Sequence, residues 1–185
     1  MTASMPTKLY DIIYADPPWR YEHPPMGDTN RSIENHYPTL SIKELQEINI
    51  PAETNAAMFM WATAPMLSKA CALMAYWGFS YRTCLCWDKM IIGMGSWARN
   101  QHELLLIGIK GKFKAPSVEF RNSSMYHKKR TEHSVKPAFF RTWISEAYPD
   151  KSKLEMFARE RIEGWDATGN EVPPHTQLQL HEVTS

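Results

Sequence analysis

The chain has 185 residues, 43% of them apolar, and a formal net charge of +1. That length fits one compact domain and that composition excludes a disordered chain. The near-neutral balance means that any nucleic-acid face must come from local segregation of charge.

No stretch approaches 18 consecutive apolar residues, and the N-terminus lacks a basic-then-apolar signal pattern, so a soluble, cytoplasmic protein with no membrane partner is expected. Residues 9–15 (LYDIIYA) predict a buried strand that stops at Asp16-Pro17-Pro18, where two prolines remove ladder donors. Residues 20–38 form a long polar connection carrying Pro24, Pro25 and Pro38, of the length that is usually functional or mobile. Ser41, with Glu44 three positions on, predicts a capped short helix. Residues 56–62 (AAMFMWA) read as a strand and 65–77 as a helix, with Pro65 in its first turn and Gly78 as its stop. Residues 81–87 alternate like a strand, and 103–109 (ELLLIGI) make a third buried run. Helical spacing follows over 137–148 through Phe140, Trp143, Ile144 and Ala147, then a last strand over 153–158 (KLEMFA).

Residues 172–185 lack an apolar period and predict a loosely ordered tail, leaving 1–171 as the domain. Cys71, Cys84 and Cys86 lack zinc-type pairing and are expected to be reduced, buried thiols, with Cys84 and Cys86 on one sheet face. Strands alternating with helices imply an α/β fold, a mainly parallel sheet with helices on both faces. Ligands of such sheets sit beyond the carboxyl ends of the strands, where Asp16 falls.

Asp16-Pro17-Pro18-Trp19 carries the strongest chemical signal. Composition alone gives this tetrapeptide roughly once in several thousand chains of this length, so chance is a poor account of it. A rigid post-strand turn with a packed tryptophan is the plain alternative. A reading as an adenine-amine site accounts for all four residues. The exocyclic amine of adenine is a poor nucleophile because its lone pair is delocalised into the ring. A carboxylate (Asp16) accepting one N–H and a rigid carbonyl (Pro17, held by Pro18) accepting the other localise that lone pair. Trp19 offers a face on which an extruded base can stack.

With these residues in place, the chain resembles the MT-A family, named for the catalytic subunit of the eukaryotic messenger-RNA adenosine methyltransferase. The likeness runs from Tyr10 to about Glu171. It includes Asp11-Ile12-Ile13-Tyr14-Ala15 before the motif and His36-Tyr37-Pro38-Thr39-Leu40-Ser41 after it, as in the bacterial and phage branch. Phe59-Met60-Trp61, Asn100-Gln101-His102-Glu103, Lys136-Pro137, Glu155-Met156-Phe157-Ala158-Arg159, Gly164-Trp165 and Gly169-Asn170-Glu171 follow in the family's order.

The resemblance implies a single-domain Rossmann-like methyltransferase fold with circularly permuted motif order. It implies S-adenosylmethionine as cofactor and adenine N(6) as acceptor. Lys136 is then expected at the cofactor's methionine carboxylate and Asp16 near its amino group. Glu155, Phe157 and Arg159 line the pocket, with Arg159, Asn170 and Glu171 near the ribose and adenine. His36 and Tyr37 shape the substrate loop. Ala158-Arg159-Glu160-Arg161 replaces the glycine-rich turn of many amino-methyltransferases, as it does across this branch. Only eight residues precede Leu9, so the upstream acidic cofactor contact of the longer eukaryotic members is expected to be missing or replaced.

Between Lys110 and Lys136 lie eight basic residues and two acidic ones. Lys128, Lys129 and Arg130 are contiguous, and a flexible loop would let all three reach phosphates, with Tyr126 and His127 adding rings for a base. A solvated charged loop is the plain alternative. The seven histidines show no metal-ligand spacing, so no metal is expected. No reader domain is evident, so sequence specificity must come from loops, from a homodimer or paired subunit, or from both. A short prokaryote-style chain favours DNA over RNA as substrate. The same reaction on RNA, or a nucleic-acid-binding subunit of a methyltransferase pair, are the rival readings.

Overall fold

Six residues after Lys8 and Leu9 form β1 (Tyr10–Ala15), and its apolar run is buried from both sides as the sequence implies. We describe a computed structural model, covering residues 8–21, 39–93, 95, 97–130 and 135–169. The 20–38 connection beyond Tyr21, the tail over 172–185 and the candidate residues His36, Tyr37, Asn170 and Glu171 lie outside the described residues.

Ser41 caps α1 (Ile42–Gln46) in the expected box: its hydroxyl accepts from the Glu44 backbone N–H while the Glu44 carboxylate accepts from the Ser41 N–H. Strand β2 (Ala52–Thr63) is longer than the 56–62 run that predicted it. A 3-10 turn over Ala64–Met66, with Pro65 inside it, leads into α2 (Leu67–Tyr76). Gly78 ends that helix at φ +86, a left-handed position where a side chain is strained. Then come β3 (Ser80–Asp88), β4 (His102–Lys110), a short β5 (Met125–His127), α3 (Ala138–Ala147), β6 (Lys153–Met156) and β7 (Asp166–Thr168).

The seven strands run in the order β5-β3-β4-β2-β1-β6-β7. Four neighbouring pairs are parallel (β1 with β2 and β6, β3 with β5, β6 with β7), but β4 runs antiparallel to both β2 and β3. The sheet is therefore mostly parallel and mixed, of Rossmann-like architecture. The chain between β3 and β4 carries Gly93 and Gly95 and no helical period, so those strands meet as a hairpin. The sequence missed two further strands: β5, inside the basic segment, and β7, which follows the strand taken as last. Both are three residues long, too short for periodicity to register. Strand β6 also stops two residues early, because Phe157 turns to φ +61.

Alternation along β2 divides the interior. Ala56, Met58, Met60 and Ala62 face a core with Leu45 of α1 and Ala70, Leu73 and Met74 of α2. Ala57, Phe59 and Trp61 face the other core, with Phe140, Trp143 and Ile144 of α3. Helices thus cover both faces, as expected. The three cysteines are free thiols, half-buried rather than buried. Among the described residues no helix is long and apolar enough to cross a membrane.

Candidate active site at the carboxyl edge of the sheet

Antiparallel β4 brings its first residues, not its last, to the edge where β1 and β2 end. The register pairs Thr63 with Glu103, and Asp88 at the end of β3 with His102. Asp16 follows β1 directly, and Lys136 stands just before Pro137, the N-cap of α3. One edge thus collects Asp16, Glu103, Lys89 and Lys136 from four separate stretches of chain.

Their charges alternate. Lys136 Nζ donates to Asp16 Oδ2 at 2.6 Å and lies 3.4 Å from Glu103 Oε2; Lys89 Nζ reaches Glu103 Oε1 at 3.1 Å. Only 12% of the Lys136 side chain and 14% of the Glu103 side chain is exposed, so water screens little of this chain of contacts. Burial alone would push the Lys136 ammonium down, but the Asp16 and Glu103 carboxylates offset it and hold it above its ordinary value. Burial likewise opposes ionisation of Glu103, and Lys136 and Lys89 hold it below the usual carboxylate value. Lys136 also sits over the Trp61 ring, 5.6 Å from its centroid.

An ammonium has three N–H donors. Two of those on Lys136 are directed to Asp16 and Glu103, and the third suits an incoming carboxylate. On Asp16, Oδ2 is engaged by Lys136 and Oδ1 can accept from an incoming ammonium or amine. An acid and a base side by side, each with capacity left, match the zwitterionic end of an amino-acid-bearing cofactor. The expected assignments of Lys136 and Asp16 fit this donor set.

Glu155 sits on β6 beside β1. Leu154 and Met156 point into the α1/α2-side core, and Glu155 points the other way, where Arg141 Nη1 donates to its Oε1 at 3.1 Å and its Oε2 at 3.0 Å. Burial pushes Glu155 up, against the Arg141 guanidinium that pulls it down. Phe157, at positive φ, packs against the α1/α2-side core, and Arg159 is exposed.

Three expectations are corrected. Trp19 is 6% exposed and packed in the α1/α2-side core, its indole N–H donating to the Trp61 carbonyl at 3.2 Å, so it presents no face for stacking. It anchors the turn instead. Its backbone N–H donates to Pro17 O at 2.9 Å, and Leu40 N–H donates to Pro18 O at 2.8 Å, fixing both proline carbonyls. The Pro17 oxygen retains a second lone pair for an amine. Tyr126 is also taken: it stacks on Phe139 with centroids 4.3 Å apart and planes 6° apart.

The basic segment, third, does not form one face. Lys110 ends β4 at the edge opposite Asp16, so Lys110, Lys112 and Lys114 stand a strand's length, roughly 25 Å, from the site. Lys128, Lys129 and Arg130 do follow β5 at the site's edge, but their backbone is tied down. Lys128 N–H donates to Asp88 O at 3.1 Å, Arg130 N–H to Lys89 O at 3.3 Å, and Trp87 Nε1–H to Lys128 O at 2.8 Å. Lys128 and Lys129 are exposed and Arg130 half-buried.

Glu103 is the residue that sequence reasoning left out of the site. The available signal was a carboxylate opening an otherwise apolar run, ELLLIGI. Glu103→Gln is expected to cost about 1–3 kcal/mol at neutral pH, since it removes the charged acceptor between two ammonium groups. Because the folded-state value of Glu103 is depressed, its contribution is present above the ordinary carboxylate value and is lost as pH falls through the depressed one. Urea unfolding of both proteins from pH 7 down to acid should therefore show the difference shrinking below about pH 4.3. A difference independent of pH would mean that Glu103 contributes packing and not charge.

The model of the MT-A70 family matches residues 10–171. The type II methyltransferase M.MunI of a Mycoplasma species is 34% identical over 187 aligned positions, covering 91% of this chain and 80% of that protein. The human N(6)-adenine-specific methyltransferase METTL4 is 28% identical over 192 positions, covering 89% of this chain and 38% of that longer protein.

Proposed function

We propose that this chain, which belongs to the MT-A70 family and is an adenine-N(6) methyltransferase, takes its methyl group from S-adenosylmethionine and places it on adenine in DNA. The observation that carries the mechanism is the Asp16 carboxylate, fixed at the end of a central strand with Lys136 Nζ 2.6 Å away. S-adenosylmethionine, when bound, supplies a methyl group on a sulfonium sulfur that keeps the electron pair as carbon leaves. Lys136 and Asp16 would hold its amino-acid end, with Glu155, Phe157, Arg159, Asn170 and Glu171 along the rest.

The chain's own part is to prepare the amine. Asp16 Oδ1 accepts one N–H and the Pro17 carbonyl accepts the other, so the nitrogen lone pair is drawn out of the ring and aimed at carbon. As the N–C bond forms, the surplus proton leaves nitrogen through Asp16 towards water. Reaching N(6) requires the base to leave its stack, with the cost lowest where pairing is weak.

DNA is favoured because M.MunI is a type II methyltransferase and the likeness to it covers most of both chains. Sequencing modified adenines in DNA from cells expressing the protein tests this directly. Methylated adenines in one sequence context are expected; modification of cellular RNA alone would replace DNA with RNA in this reading.

Lys128, Lys129 and Arg130 are proposed to meet the phosphates. Each neutralised phosphate adds about −0.9 to the slope of log affinity against log salt on duplex DNA. Replacing all three by Ala should flatten that slope by up to roughly three units, weaken different sequences alike, and leave cofactor affinity unchanged. A salt titration with an unaltered slope would assign the phosphate contacts elsewhere.

A further inference from the structure

The β3–β4 hairpin continues past the edge of the sheet. Lys89 N–H donates to Gln101 O at 2.8 Å, Gly93 N–H to Asn100 O at 3.1 Å and Asn100 N–H to Ala98 O at 3.0 Å. A Cβ at Gly93 would collide with the Asn100 carbonyl, and one at Gly95 with the Ala98 carbonyl, so glycine is what lets the two arms close this tightly. The result is a hydrogen-bonded projection on the side of the sheet that carries Asp16. Trp97 on this projection is fully exposed, and Met90 and Ile92 are largely so. An indole held wholly in water contributes nothing to the core and leaves its whole face available to a partner.

What it meets is indicated by charge. The root of the projection is pinned to the basic stretch, through Arg130 N–H to Lys89 O and Lys128 N–H to Asp88 O. Lys128 and Lys129 are exposed there, and exposed Arg99 follows Trp97 by two positions. An apolar tip rising from a cationic base complements a polyanion with an apolar stacked interior. We propose that Trp97 is a wedge that enters the base stack of duplex DNA and occupies the gap left when the target adenine is extruded towards Asp16. This rests on the DNA reading above and assigns it a positioning residue. Inserted apolar side chains lower the cost of unstacking, and a flat indole offers the largest stacking area of any side chain.

A wedge matters in proportion to the pairing it must overcome. The test compares the full-length protein with Trp97→Ala on two duplexes carrying the methylation site mapped in expressing cells. One is fully paired; the other is abasic opposite the target adenine. Aromatic–base stacking energies convert to roughly 10- to 100-fold, so Trp97→Ala should lower kcat/KM by that much on the paired duplex. On the abasic duplex the loss should be under about threefold, by the same stacking conversion. 2-Aminopurine at the target should brighten with the wild type and not with the variant. Trp97→Phe should recover part of the loss. Equal losses on both duplexes, or none on either, would overturn the wedge while the DNA reading stands. So would a shift from dimer to monomer in sedimentation, which would make Trp97 a contact with a second copy. A wild type that methylates neither duplex would remove the DNA reading, and the wedge with it.

Discussion

Asp16→Ala is expected to lower methyl transfer by about 100- to 1000-fold or more, the usual loss when one preorganised electrostatic partner is removed from a reacting centre. The fold should survive. Asp16 is half-exposed at the end of β1, and Lys136 keeps Glu103 as a counterion once Asp16 is gone. Asp16→Asn is the sharper test, because it retains shape and a hydrogen-bonding oxygen. The amide carries no net charge, so it draws the adenine amine less strongly and offers the surplus proton no acceptor of comparable basicity. It should also lose most activity, and it weakens the contact with Lys136. Single-turnover transfer of labelled methyl to mapped-site DNA, with folding checked by thermal melting, reads the effect. Wild-type-like turnover in purified Asp16→Ala would end the proposed mechanism.

Lys136→Ala should raise the dissociation constant for S-adenosylmethionine at least about tenfold, since a charge-assisted hydrogen bond is worth about 1.5–3 kcal/mol. The structure adds a second consequence. Lys136 is the ammonium between Asp16 and Glu103, so removing it leaves two carboxylates near each other with less cationic compensation. Glu103 then keeps only Lys89 against burial, so its ionised form is favoured less and the acid limb of the pH–activity profile should move to higher pH. Lys136→Met, closer in size, separates charge from packing: it should show both the affinity loss and the shifted limb. Calorimetry with the cofactor and rate profiles from about pH 4, near the ordinary carboxylate values, up to about pH 9 measure the two effects. If DNA affinity alone fell, Lys136 would belong with Lys128 and Lys129.

These residues were legible in the sequence to different degrees, for physical reasons. Asp16 was found because a strand ending in two prolines states its own boundary. Lys136 entered through the family resemblance, one residue before the helical spacing over 137–148. The direction of β4 was not legible, since a buried apolar run looks alike in parallel and antiparallel pairs. Only the glycine-bearing stretch before it, with no helix, hinted at a hairpin. That reversal brings Glu103 to the site, so missing the direction meant missing the residue. Trp19 was misread because composition cannot say which face of an aromatic ring is covered. Its indole N–H found the Trp61 carbonyl, 42 positions away in sequence. The basic segment failed as a unit because the chain runs from one end of the strands to the other between Lys110 and Lys128.

Strand β1 is flanked on both sides by parallel partners, β2 and β6. Its amide protons donate alternately to one partner or the other, so each exchanges only when a central ladder opens, which in a small domain comes close to global unfolding. The peripheral pieces of the site stand on shorter ladders, such as β5 and β7, and open at lower free energy. Activity that fades on warming while the amides of Ile12 to Ala15 remain protected is thus lost at the rim. The Asp16 carboxylate is still in place then, and cooling should restore turnover without refolding.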